Sequence, residues 1–131
     1  MRYCALASPY FVNTLTIIVL MIKNIDKIHP LKRDKVLRGM EFISQCCKNA
    51  NYVDKVIVFG SSVRNDCTDE SDIDILLFTE YTCANRGYFN IRSTIMDIID
   101  DKCDIFESDL CNDIFIQRVI ATGVVVFEFK N

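Results

Sequence analysis

The apolar positions of this chain alternate between two periods along its length. Between Leu31 and Ala50, the residues Val36, Met40, Ile43, Cys47 and Ala50 recur at spacings of four and three, which predicts an amphipathic helix. A β-branched run from Lys55 to Gly60 predicts a buried strand closed by its glycine. Asp72 to Thr79 predicts a second strand, which opens on alternating charge and then turns wholly apolar. Helical spacing returns at Tyr88, Ile91, Ile95 and Ile98, after the turn residues Asn85, Arg86 and Gly87. Lys102 to Glu107 predicts a third strand, followed by Ser108 as N-cap of a helix carrying Leu110, Ile114 and Ile120. Gly123 stops that helix, and Val124 to Phe129 forms a short last strand. The expected fold class is α+β (mixed α/β): a mixed β-sheet with helices packed mainly on one face and the other face open.

The stretch ahead of this pattern is different in kind. Tyr3 to Ile22 contains no charged residue and ends in the apolar run Leu15 to Ile22. Its length is about that of a membrane span, and Arg2 before it has the look of a weak signal-peptide start. Ser8, Pro9, Asn13, Thr14 and Thr16 dilute the first half, however, and no small-residue cleavage site precedes Lys23. Everything that reads as a domain lies after Met21. Residues 1–20 are therefore expected to be an apolar extension outside the domain, with residues 21–131 forming it. No stable membrane partner is expected, and the location expected is the cytoplasm.

Composition adds limits. A chain of 131 residues, 50% hydrophobic and 25% charged, suits one ordinary globular domain with a single core. A net charge of −3 exerts no general pull on nucleic acid or anionic membrane, so a nucleic-acid partner stays an open question. Charge is uneven: residues 23–48 carry seven basic against three acidic side chains, and the rest of the chain from 49 carries seven against fifteen. The basic stretch reads as a solvated helix face, with the gathering of polyanionic substrates as the functional alternative. Seven cysteines are an odd number, none spaced C-x-x-C, and His29 is the sole histidine. Zinc ligation needs close ligand pairs, so reduced thiols acting as small hydrophobes are expected.

The chemistry concentrates between Gly60 and Asp74. Asp66, Asp69, Glu70, Asp72 and Asp74 place five carboxylates in nine residues with no base among them. Such a cluster repels itself unless solvent or a cation relieves it. Asp72 and Asp74 stand at i and i+2 at the head of a strand, so both side chains leave one face, with α-carbons about 6.5–7 Å apart. That spacing suits two carboxylates holding one divalent ion, or two ions about 3.5–4 Å apart. Oxygen donors without a neighbouring His or Cys pair favour Mg²⁺ or Mn²⁺ over zinc. Gly60 and Ser61 follow the first strand, where a glycine lets a ligand approach backbone amides and a hydroxyl can donate to phosphate. A short helical turn over 61–66 would aim its amides at the same anion. No Gly-Lys-Ser/Thr follows, so this is not a Walker A loop. Taken singly, an Asp-x-Asp or a Gly-Ser also occurs in plain surface turns.

Together, Gly60-Ser61-x-x-Arg64 and Ser71-Asp72-x-Asp74, with Gly60 and Asp72 twelve residues apart, resemble the signature of the polymerase-beta-type nucleotidyltransferase superfamily. The residues after Met21 look like its smallest members, the minimal nucleotidyltransferases (MNT) found as antitoxin partners of HEPN-domain proteins. The chain departs from the pattern at Asn65, where members often have Gly; Asn tolerates the left-handed backbone that a glycine there would supply.

The resemblance implies the nucleotidyltransferase fold and a set of roles. Asp72 and Asp74 would hold metal, joined by Asp104 as the third carboxylate on a later strand, with Asp100 and Asp101 as rivals for that place. Gly60 and Ser61 would cradle phosphates, Arg64 would assist electrostatically or pack structurally, and Ser71 would fix the strand entry. The implied reaction uses two Mg²⁺ ions, or Mn²⁺, to move a nucleoside monophosphate from an NTP, foremost ATP, onto a hydroxyl such as a tyrosine of a HEPN-type partner. The alternative is a non-catalytic antitoxin that neutralises its partner by contact. A third reading is an acidic α/β domain that binds Mg²⁺ incidentally.

Overall fold

The computed structural model describes residues 21–46, 53–79, 86–100 and 102–129. Helix α1 spans Pro30–Cys46, strand β1 Lys55–Phe59, β2 Ile73–Phe78, helix α2 Arg86–Ile99, β3 Cys103–Glu107, helix α3 Asp113–Thr122 and β4 Val124–Glu128. Single 3-10 turns occupy Ile25–Lys27, Gly60–Val63 and Ser108–Leu110. The four strands form one sheet in the order β3-β2-β1-β4. β1 runs antiparallel to β2 and β4, whereas β2 and β3 are parallel, because the α2 crossover returns the chain to the end where β2 began. The sheet is therefore mixed, as expected.

Strand alternation divides the core between two faces. Val56, Val58, Ile73, Ile75, Leu77, Cys103 and Ile105 point to the first face and meet Val36, Met40 and Ile43 of α1 and Ile95 and Ile99 of α2. Ile57 and Leu76 point to the second face with Phe59, Phe78, Phe106 and Val125, and meet Phe115, Ile116 and Val119 of α3. The two long helices thus cover one face, and the short α3 covers part of the other. A register shift opposite Val56 and Ile57 inserts an extra β4 residue, so the consecutive Val126 and Phe127 both enter the first cluster. Ile22 bridges to Phe127 and the Lys23 N–H donates to the Val126 carbonyl at 2.9 Å, so the stretch before α1 runs along the edge of β4.

Several expectations need correction. The first helix begins at Pro30 and is described to Cys46; Cys47, Ala50, Asp101, residues 1–20 and the side chains of Tyr88 and Ile91 lie outside the described residues. Ser108 does not cap α3. Its hydroxyl accepts from the Thr79 N–H at 3.0 Å and donates to the Thr79 carbonyl at 3.1 Å, closing the end of β2 instead. Asn112 is the cap, its Oδ1 accepting from the Phe115 N–H at 2.8 Å. With α3 starting four residues later, the inward face is Phe115, Ile116 and Val119, and the expected Leu110, Ile114 and Ile120 point outward at 59%, 69% and 49% exposure. Gly123 ends the helix as expected, its N–H donating to Val119 O.

The basic stretch also reads differently in three dimensions. Arg33 turns back to donate to the carbonyls of Ile25, Asp26 and Ile28, and Lys32 is buried with its Nζ on the Asp69 carbonyl. Among the described residues no helix is long and apolar enough to cross a membrane.

Candidate active site

Three side chains form a row across the open end of the second face. Phe59 at the end of β1 pairs with Asp74 of β2, and Asp74 pairs with Asp104 of β3. Residues directly paired on neighbouring strands share a face, and neighbouring strands lie about 4.8 Å apart, so the two carboxyls stand side by side. Asp72 precedes β2 by one residue and shares its face by the period of two. Strand register thus brings Asp104 beside Asp74. Its rival Asp100 lies before the strand, exposed and in the left-handed region at φ 47°.

Electrostatics ties the row together. Burial pushes the Asp74 carboxyl above its usual range, and the neighbouring Asp104 and Asp72 charges and a side-chain hydrogen bond with Asp104 push it further. The Arg64 guanidinium pulls the other way. Arg64 therefore stands within electrostatic reach of the row, although its direct partner is Asp66, which takes Nε at 3.0 Å and Nη2 at 3.5 Å and is held below its usual range.

The Gly60–Val63 turn leads directly out of this row. Gly60 has φ +75°, and a Cβ there would collide with Asp74 Oδ2. The glycine is thus required twice, by its backbone and by the carboxylate on the next strand. The turn covers Gly60–Val63 rather than 61–66, and Asn65 is not among the described residues with positive φ, so the left-handed backbone expected of it is not used. Ser61 and Ser62 both direct their hydroxyls at the Asp72 carbonyl, at the long distances of 3.5 and 3.4 Å, which ties the turn to the entry of β2. Ser71 accepts from the Thr68 N–H at 2.9 Å, and its own N–H donates to the Thr68 carbonyl, so it shapes the loop before Asp72 as expected.

Sequence reasoning missed two members of this neighbourhood. Ser62 is buried, and its carbonyl accepts from the His29 N–H at 2.7 Å, docking the start of α1 on the turn. Nothing in the sequence separates it from Ser61. Phe59 flanks Asp74 and packs its ring against Phe106 and Phe115 at centroid distances of 5.8 Å each. Its alternation with the buried Val58 was the available signal.

The donor set fits a hard divalent cation. The oxygens are all carboxylate, and Asp74 is held up by burial and like charge, a penalty that a cation relieves. Among the described residues no three His, Cys, Asp or Glu side chains close on one point at ligand distance, so the fit rests on the paired Asp74 and Asp104 with Asp72 beside them.

Comparison with known proteins agrees with this fold. A Methanocaldococcus jannaschii protein named as a candidate protein adenylyltransferase is 27% identical over 73 residues, 56% of this chain and 74% of the relative. A toxin–antitoxin structure with AMP-PNP matches in fold with a TM-score of 0.54 at 18% identity, over 74% of this chain and 73% of the other. A candidate minimal nucleotidyltransferase gives 0.52 at 19% identity, over 68% of this chain and 89% of the other. The MNT antitoxin in complex with the tri-AMPylated Shewanella oneidensis HEPN toxin gives 0.50 at 19% identity, over 72% and 73%. The sequence profile of the family described as "Polymerase beta, Nucleotidyltransferase" matches residues 41–131, which contain the turn, the acidic strand entry and the β2–β3 pair. The chain belongs to that family and is a nucleotidyltransferase.

Proposed function

We propose that the protein transfers a nucleoside monophosphate from an NTP, foremost ATP, onto a hydroxyl in a Mg²⁺-dependent reaction. We further propose that the acceptor is a tyrosine of a HEPN-type partner, which makes this chain the antitoxin of a toxin–antitoxin pair. The observation that carries the reading is the row Phe59, Asp74 and Asp104 with the Gly60–Val63 turn emerging beside it. In the transfer an acceptor oxygen bonds to the α-phosphorus, the bond from that phosphorus to the bridging oxygen breaks, and pyrophosphate leaves.

Asp72, Asp74 and Asp104 would hold two Mg²⁺ ions, with Mn²⁺ as a substitute. When bound, the ions supply charge neutralisation of the triphosphate and acidify the acceptor hydroxyl. Gly60 and Ser61 receive the β- and γ-phosphates through backbone amides and the Ser61 hydroxyl. Arg64, exposed and within electrostatic reach of Asp74, draws the polyphosphate toward the row. Asp104 lies on the edge strand and is exposed, so it meets the acceptor and takes the hydroxyl proton.

The substrate and partner rest on likeness. The relative named for protein adenylyltransfer and the AMP-PNP and AMPylated-toxin complexes support ATP and a HEPN acceptor. We place the reaction in the cytoplasm, where the thiols of Cys67 and Cys103 stay reduced.

The test incubates the protein with α-labelled ATP, Mg²⁺ and the helical protein encoded beside it. Label should appear on the partner and vanish with EDTA or in Asp72→Asn. Transfer that survives Asp72→Asn sinks the mechanism, and neutralisation of the partner without any label establishes the contact-only antitoxin instead.

A further inference from the structure

Lys32 is a buried polar group that the reaction as described does not use. It sits in the first turn of α1, is 1% exposed and is among the largest fully buried side chains. Its Nζ donates to the main-chain carbonyl of Asp69 at 3.1 Å. Taking an amino group out of water is costly, and an apolar side chain of similar volume would fill the space at less cost. Packing alone does not account for a lysine here.

The destination of the bond is informative. Asp69 belongs to the loop over residues 64–72, which joins the Gly60–Val63 turn to Asp72. That loop exposes Asp66, Asp69 and Glu70 and ends on Asp72, so like charge favours its spreading. The same helix start grips the turn itself, through the His29 N–H on the Ser62 carbonyl at 2.7 Å. α1 therefore holds both the turn and the loop from beneath, on main-chain atoms, and leaves the outer surface of the site to solvent.

We propose that Lys32 is a positioning residue of the nucleotide and metal site. By holding the Asp69 carbonyl it fixes the loop, and through the loop it sets where Asp72 stands relative to Asp74 and the Gly60–Val63 turn. The inference rests on the proposed function and assigns Lys32 no contact with substrate. Groups that orient ligands from behind usually change metal affinity about 10–100-fold when removed.

The test measures binding of AMP-PNP to the full chain as a function of Mg²⁺, by calorimetry, so no turnover is needed. Lys32→Met should raise the half-saturating Mg²⁺ concentration about tenfold or more, and Lys32→Arg should return it to within about threefold of wild type. Met40→Ala, a cavity on the core side of the same helix, serves as the control for general loosening and should leave the Mg²⁺ requirement unchanged. In EDTA, hydrogen exchange of the 64–72 amides should quicken in Lys32→Met while that of the α1 interior does not. Where Lys32→Met fails to fold, the other end of the bond provides the reading. Asp69→Gly frees the backbone that bears the carbonyl, and Asp69→Ala removes the same exposed charge without freeing it. The glycine variant should require several-fold more Mg²⁺ than the alanine variant. Wild-type Mg²⁺ dependence in a folded Lys32→Met, or equality of the two Asp69 variants, overturns the inference. Absence of Mg²⁺-dependent binding in the wild type overturns the proposed function itself, which keeps the two failures apart.

Discussion

Asp74 and Asp104 stand in register across the parallel β2–β3 pair, and the Asp104 charge helps to hold the buried Asp74 carboxyl above its usual range. Two acids in direct register on neighbouring strands repel one another, and the fold nevertheless sets them side by side at the end where the Gly60–Val63 turn emerges. A cation held between the two carboxyls would relieve the burial and like charge that hold the Asp74 carboxyl up.

The first prediction concerns stability without metal. The Asp74 carboxyl is raised in the folded protein, by burial first and by Asp104 and Asp72 next. The folded state then binds the proton more tightly than the unfolded state. Its contribution is fully present below the unfolded value of 3.8 and is lost as pH rises through the folded value. In EDTA, stability should therefore decline over that acidic window, and Asp74→Asn should flatten the decline. Because the group is only partly buried, solvent screens much of the effect and the gain near neutrality should be small, a rise in Tm of about 1–3 °C. Scanning calorimetry across pH checks it, and a variant less stable than wild type at neutral pH contradicts it.

Transfer and binding should separate along the row. Asp72→Asn and Asp74→Asn should each slow labelled transfer by about 10³-fold or more. Asp104→Asn should slow transfer to a similar degree while changing the Kd for AMP-PNP far less, because its proposed role is on the acceptor side. Equal losses of binding in all three variants would argue against that division of labour.

Gly60→Ala should cost about 1–3 kcal/mol in urea unfolding, from the positive φ together with the collision against Asp74 Oδ2. Removing the oxygen should relieve part of that cost. The double variant Gly60→Ala, Asp74→Ala should thus be more stable than the two single changes added together predict. Additivity would show that the backbone angle alone requires the glycine.

The corrected face of α3 makes a sharp contrast. Phe115→Ala removes a ring packed against Phe59 and Phe106, at 5.8 and 5.2 Å, and should cost about 2–4 kcal/mol. Ile114→Ser, at a position 69% exposed, should stay within about 0.5 kcal/mol of wild type. The order would reverse if Ile114 faced the core.

Residues 21–131 are proposed as the folding unit. Met21 packs in the core, and Ile22 and Lys23 pair with β4, so a chain beginning at Met21 should keep the Tm of the full chain within about 3 °C. Beginning at Pro30 should lower it sharply, because Met21, Ile28 and the β4 edge are lost together.

The sequence alone determined the alternation of helix and strand, the strand-borne acids and the glycine turn, and with them the family. All of these are local signals: a period of two or of 3.6, a turn residue, a fixed spacing within fifteen residues. What the sequence left open depended on atoms far apart in the chain. Cross-strand register, which no local pattern encodes, brought Asp104 rather than Asp100 beside Asp74 and made Gly60 answer to Asp74. The N-cap of α3 is Asn112, four residues beyond Ser108, and the helix packs Phe115 and Val119 inward in place of Ile114 and Ile120. Lys32 reads in the sequence as one cation of a solvated face. Only the packing of α1 beneath the loop that precedes Asp72 turned it inward, where its Nζ donates to the Asp69 carbonyl.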